Sequence, residues 1–225
     1  MTELRLFGNL NKQNIKSFLA RFFSMVFGLM LYALGIVITI KANIGYAPWD
    51  VFHVGVANRV GLSIGTISIL TGFFIVIIVT FLGEKLGFGT IANMLLIGLF
   101  MDLFFFIDII PTGTNMVIGI PMLIAGLFVI SVGSYFYIKS AFGTGPRDSL
   151  MVALTRKTKI PVGICRGIIE FCATLGGWFL GGMVGVGTVI SVIAIGICIQ
   201  TTFKLLKFNV TAVRHETLRD TLRLR

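Results

Sequence analysis

Lys41-Ala42-Asn43-Ile44-Gly45-Tyr46-Ala47-Pro48-Trp49-Asp50 and Lys139-Ser140-Ala141-Phe142-Gly143-Thr144-Gly145-Pro146-Arg147-Asp148 are one turn written twice, 98 residues apart. Extending this register outward without a gap places Gly28 on Gly126 and Gly35 on Gly133 upstream of the turn. Downstream it places Gly65 on Gly163, Gly83 on Gly181, Gly87 on Gly185, Gly89 on Gly187, Thr90 on Thr188 and Gly98 on Gly196. Glycine is common in this chain, so one coincidence means little. Eight glycine pairs in one register, with Lys, Pro, Asp and Thr pairs among them, mark an internal duplication.

The surroundings of the turns say where the duplicated unit lives. Of 225 residues 56% are hydrophobic and only 12% charged, with a mean hydropathy of +0.98. A soluble domain carries about a quarter charged residues. Six apolar runs are expected to span a bilayer: 18–40, 62–82, 88–110, 117–138, 160–180 and 184–203. Each supplies the roughly 20 residues that a helix needs to cross hydrocarbon. The runs are continuous rather than alternating, so helices are expected and a barrel is not. The fold class is therefore an all-α polytopic membrane protein. It divides into a basic cytoplasmic lead (1–17), repeat one (18–112), repeat two (113–207) and a basic cytoplasmic tail (208–225).

Three spans per repeat force the second copy to enter the membrane in the opposite sense. Lys and Arg favour the cytoplasmic side. Arg5, Lys12 and Lys16 place the lead inside, and Lys204, Lys207, Arg214, Arg219, Arg223 and Arg225 place the tail there too. Lys139, Arg147, Arg156, Lys157 and Lys159 put the loop after span four inside. The loops after spans three and five carry neither residue and fall outside. The first apolar run is too long for a signal peptide and is expected to be retained. The net charge of +10 thus reads as membrane flanks, not as a nucleic-acid surface. Inverted repeats are common in secondary transporters, whose sites form near the midplane between the halves. The bland alternative is a duplication that only yields a stable bundle.

Within each turn, Gly45 and Gly143 permit a sharp bend. Pro48 and Pro146 suit the first position of a helix, and Asp50 and Asp148 suit its first turn. Short helices are expected over 48–60 and 146–157, lying in the interface or re-entrant. Their N-terminal amides suit an anionic guest, with Arg147 beside them. The alternative is a capped interfacial helix whose Asp only offsets the dipole. Asp102 falls deep in span three, where ionisation is costly, and aligns with Gln200; Asn93 aligns with Ser191. This is either a polar seam able to carry a proton on Asp102 or a set of interhelical hydrogen bonds. Arg166 and Glu170 stand at i,i+4 and read as a local ion pair. The candidate substrate-binding residues are therefore Asp50, Asp148, Arg147, Asp102, Asn93 and Gln200, with Gly45, Pro48, Gly143 and Pro146 shaping the turns. The Gly83/Gly87/Gly89 group and its copy read as structural close-approach sites.

Enzyme signatures such as HExxH, GxSxG and the P-loop are missing, so no enzyme, cofactor or metal is expected. Cys165, Cys172 and Cys198 lie in apolar runs without metal-ligand spacing. His53 and His215 fall outside the spans. The expected partners are the lipid bilayer, a small molecule or ion, and a second copy or another membrane protein. With its doubled Gly-x-x-Pro-x-Asp turns, Gly45–Asp50 and Gly143–Asp148, the chain resembles the YczE/YitT-type family of bacterial membrane proteins. The short tail resembles the YczE-like branch, since the YitT branch continues into a soluble domain. The resemblance implies the bacterial cytoplasmic membrane and assigns no activity. Two readings stand: a transporter or channel-like protein for a small solute, with an anion the natural guest of the turns, or a non-transporting accessory protein.

Overall fold

A computed structural model of the chain describes residues 2–217, with side chains described from Ile15 onward except at Thr211. Eight α-helices follow in order: α1 (Thr2–Lys41), α2 (Pro48–Val60), α3 (Ile64–Phe81), α4 (Phe88–Ile107), α5 (Met116–Lys139), α6 (Pro146–Thr158), α7 (Val162–Phe179) and α8 (Val186–Leu205). Six segments are long and apolar enough to span a membrane: Ile15–Lys41, α3, α4, α5, α7 and α8. Both expected short helices are present as α2 and α6, each opening on its proline. No strand occurs among the described residues. α1 starts at Thr2 and runs unbroken into the first span. Residues 218–225 of the basic tail lie outside the described residues.

Two long helices form the centre. α1 and α5 cross in opposite directions at glycine contacts. A Cβ on Gly28 would stand 2.8 Å from the Gly133 carbonyl, and one on Gly126 would stand 2.9 Å from that of Gly35. Only a missing side chain permits such backbone approach. Met25, Leu29, Leu123, Leu127 and Val37 fill the space around the crossing and are fully or almost fully buried. Phe74, Phe81, Phe106 and Phe171 point outward and are largely exposed, as lipid-facing side chains must be.

Each turn is secured by the other half. Gly45 (φ 114°) and Gly143 (φ 134°) take backbone conformations that favour glycine. The amide of Gly187 donates to the Ile44 carbonyl at 2.7 Å, and the amide of Gly89 donates to the Phe142 carbonyl at 2.7 Å. A Cβ on Gly45 would press on Gly185, and one on Gly143 on Gly87. The glycine groups at the starts of α4 and α8 are thus the seats into which the opposite turns fit. α2 then lies against α7, where Gly177 and Gly182 leave room for Val51 and Phe52, and α6 lies against α3.

The two halves differ on one flank. Between α3 and α4, Gly65 and Gly98 abut each other's carbonyls. Their copies on α7 and α8, Gly163 and Gly196, have no neighbouring atom within 4 Å of a Cβ position. The chain beyond α8 makes a 3-10 turn (Val210–Ala212) and returns to the α5–α6 turn, where the Glu216 amide donates to the Ala141 carbonyl at 2.8 Å. Glu216 also pairs with Arg21 at 2.6 Å.

Candidate functional site

A chamber of about 260 Å³ opens between the halves. α6 brings Arg147, Asp148 and Met151 to it; α7 brings Arg166 and Glu170; α4 brings Asn93, Met94 and Ile97; α8 brings Ile195, Ile199 and Phe203. Trp49 from α2, Tyr32 from α1 and Tyr137 from α5 complete its aromatic wall.

The turn geometry accounts for this arrangement. Proline at the first position of α6 fixes where the helix begins, so the next two side chains, Arg147 and Asp148, project from its first turn. Ser149 is buried behind them, its amide bonded to the Gly145 carbonyl and its hydroxyl 2.9 Å from that of Thr144. The equivalent first turn of α2 is buried instead: Pro48, Asp50 and Val51 have little exposure, and only Trp49 reaches the chamber.

Arg147 joins the two short helices. Its guanidinium lies 4.6 Å from the centre of the Trp49 ring. Its Nη2 donates to His53 Nε2 at 3.4 Å. That contact leaves the imidazole proton on Nδ1, which faces Asp50 Oδ1 at 3.8 Å and has no hydrogen-bond partner. Burial holds the His53 pKa below its ordinary value; Asp50 opposes that effect and the positive charge of Arg147 adds to it. A neutral ring therefore separates Asp50 from Arg147. On α7, Arg166 Nε donates to Glu170 Oε1 at 2.9 Å, the local ion pair expected from their spacing.

Asp148 is different. Its side chain is exposed to the open space of the chamber, which lies inside the protein. Among the described residues it accepts no hydrogen bond and forms no ion pair. Enclosure pushes its carboxyl pKa above the ordinary value because the anion loses water; Arg166 and then Arg147 pull the other way.

The remaining candidates fall in separate places. Asn93 is on the chamber wall, with its amide near Gly145. Gln200 is exposed and outside the chamber. Asp102 is not the isolated carboxylate that its depth suggested. It accepts from Ser63 Oγ at 2.5 Å and from the Gly65 amide at 2.8 Å, tying α4 to the first turn of α3 away from the chamber. The α3 helix dipole and two donors account for its presence in a span. Sequence reasoning passed over Tyr32, Tyr137, Trp49 and His53. Their signal was position: Trp49 occupies the same place in repeat one as Arg147 in repeat two.

The family described as a family of unknown function, DUF6198, matches residues 19–204. The chain is also 34% identical over 176 residues to the uncharacterized membrane protein YczE of Bacillus subtilis (strain 168), covering 77% of this chain and 80% of that one. The chain belongs to the YczE-like family. Similarity extends to an uncharacterized protein of Haemophilus influenzae, 29% identical over 78% of this chain and 80% of its own length. It extends also to the uncharacterized protein YyaS of Bacillus subtilis, 24% identical over 73% of this chain and 83% of its own. No solved structure matches the chain. The expected YczE-type relationship therefore holds, and the family is one of membrane proteins without an assigned activity.

Proposed function

We propose that this protein is a carrier for a small solute in the bacterial cytoplasmic membrane, built from two inverted repeats with both termini cytoplasmic, and that its site is the chamber between α6, α7 and the central helices. No enzyme chemistry is proposed. One observation carries the reading: a chamber lined with charge sits on the repeat boundary, and its two flanks are related by the repeat but differ in packing. The α3–α4 flank is closed at Gly65 and Gly98, whereas the matching α7–α8 flank is parted at Gly163 and Gly196. Exchanging the two arrangements would close the chamber on one side and open it on the other, as alternating access requires. By the Lys/Arg distribution, the parted flank faces the cytoplasm. The antiparallel contact of α1 with its own copy supports the inverted arrangement. A dry, glycine-packed boundary would have favoured an accessory protein; the charged chamber favours a carrier.

The test is a cross-link. With Cys165, Cys172 and Cys198 replaced by alanine, the pair Gly163→Cys and Gly196→Cys is introduced. Both positions accommodate a side chain in the parted state. A disulfide needs Cα atoms within about 7 Å, so it forms only when α7 and α8 close. Oxidation in membranes is expected to trap it. If the pair never cross-links, and Ser68→Cys in the chamber stays reactive from one side only, the carrier reading fails.

A further inference from the structure

Two arginines and two carboxylates line the chamber, and of these four only Asp148 has no partner among the described residues. Arg166 is answered by Glu170 at 2.9 Å. Arg147 is stacked on Trp49 and bonded to the neutral ring of His53. Asp148 has neither a hydrogen bond nor an ion pair among the described residues, and it faces the open space. The other titratable groups near it add no free cation. Tyr32 on α1 and Tyr137 on α5 are phenols, neutral near pH 7. Burial holds the His215 pKa below its ordinary value, so this residue of the returning chain is neutral there too. One carboxylate is left without a partner, and the remaining walls are largely apolar: Ile36, Met94, Ile97, Met151 and Ile169. The Asp148 side chain is exposed to the chamber, so a proton or a cation brought in from outside can reach it.

Resting on the carrier reading above, we propose that the chamber takes a small organic cation, a protonated amine on an apolar body, which pairs with Asp148 in exchange for a proton. The exchange balances. The neutral carboxyl loses its proton to water, the ammonium N–H groups then bond the carboxylate, and one positive charge replaces another. The aromatic faces of Tyr32 and Tyr137 suit such a guest, since their rings attract cations and accommodate its apolar body, with Trp49 beside them already stacked on Arg147. The raised Asp148 pKa allows proton and amine to compete nearer neutrality than an exposed carboxyl would. This reverses the sign expected from the helix N-termini alone, because Asp148 itself occupies the first turn of α6.

The probes are phenethylammonium and its anionic counterpart of similar shape, 3-phenylpropanoate. Full-length protein in nanodiscs carries Trp178→Phe, which removes an exposed tryptophan and leaves Trp49 in the chamber as the only reporter. Phenethylammonium is expected to change Trp49 fluorescence saturably. Its apparent affinity should weaken by about tenfold for each pH unit below the Asp148 pKa. In weakly buffered solution at such a pH, binding should release close to one proton per amine. Asp148→Asn should lose the proton release and weaken binding at least tenfold, whereas Asp148→Glu should keep both. Circular dichroism and gel filtration report whether the variants fold, and the wild-type proton release decides the matter if they do not. The proposal is overturned if only 3-phenylpropanoate binds, if neither probe binds at millimolar concentration, or if the amine binds without releasing a proton. The 163–196 cross-link does not depend on ligand charge. A chain that cross-links without binding the amine refutes only the ligand class. One that binds the amine but never closes refutes only the carrier.

Discussion

Arg147 stacks on Trp49 at 4.6 Å, and the two residues hold the same position in the two repeats. Arg147 follows Trp49 by 98 residues, so the contact joins matching positions of the paired turns, and it forms one wall of the chamber. Duplication alone would put two like side chains there. The chain instead carries a cation in one copy and an indole in the other, a pair that attracts.

His53 completes this contact and sets a dependence on acid. Burial lowers its pKa below 6.5, so the unfolded chain takes up a proton that the native chain refuses. The His53 contribution to stability is full above that ordinary value and is lost as pH falls below it, towards the folded pKa. The steepest slope is about 1.4 kcal/mol per pH unit. Thermal melting between about pH 5 and pH 8 should show wild type losing this increment on acidification, while His53→Gln lacks it. Equal pH profiles for the two proteins would refute the assignment of a buried neutral ring.

Asp102 is expected to act on the closed flank and not on the bound solute. Asp102→Ala leaves the Gly65 amide and the Ser63 hydroxyl without their acceptor and should cost about 1–3 kcal/mol in a melting experiment. Asp102→Asn keeps a carbonyl oxygen and should cost less. Neither change should alter the pH dependence of phenethylammonium binding. A shift in that dependence would return Asp102 to the role of proton carrier.

The α1–α5 crossing should resist any added side chain. A Cβ on Gly35 would stand 2.7 Å from the Gly126 carbonyl and 2.6 Å from Ile130. Gly35→Val should destabilise by at least the roughly 1–3 kcal/mol of ordinary overpacking. Gly163→Val, at a place with open space, should change melting little in the parted state. Similar losses at both positions would contradict the packing described.

Orientation is open to direct labelling. Thr112 and Lys157 are exposed, unlike Gly113, which is buried against Ala42. In a cysteine-free background, Thr112→Cys should react with an impermeant maleimide from outside the cell, and Lys157→Cys only after the membrane is opened. Labelling of both from one side would remove the inverted topology.

The spans and short helices were legible because hydropathy and the paired Pro-x-Asp turns are local signals. Pro48 and Pro146 start α2 and α6 where their sequence context places them. The site was only half legible. Arg147, Asp148 and Asn93 reach the chamber because position along a span or turn predicts depth, but depth does not predict facing. Asp102 turns instead to Ser63 at the start of α3, a residue 39 positions earlier. His53 lies outside the spans and is nevertheless fully buried, because α2 is covered by α7, a contact between elements of different repeats. Facing and cover are set by partners distant in sequence, which periodicity alone does not reveal.

The glycine crossing of α1 with α5 also bears on how the chain is made. The seat for Gly28 is the backbone around Gly133, and the seat for Gly35 is that around Gly126. At about 5–20 residues per second, a ribosome needs roughly 5–20 s to synthesise the intervening stretch. During that interval the first helix is in the bilayer without its mate, its small-residue stripe open to lipid or to any other passing helix. Early insertion is thus a waiting state, and assembly of the centre begins only when the fourth span arrives.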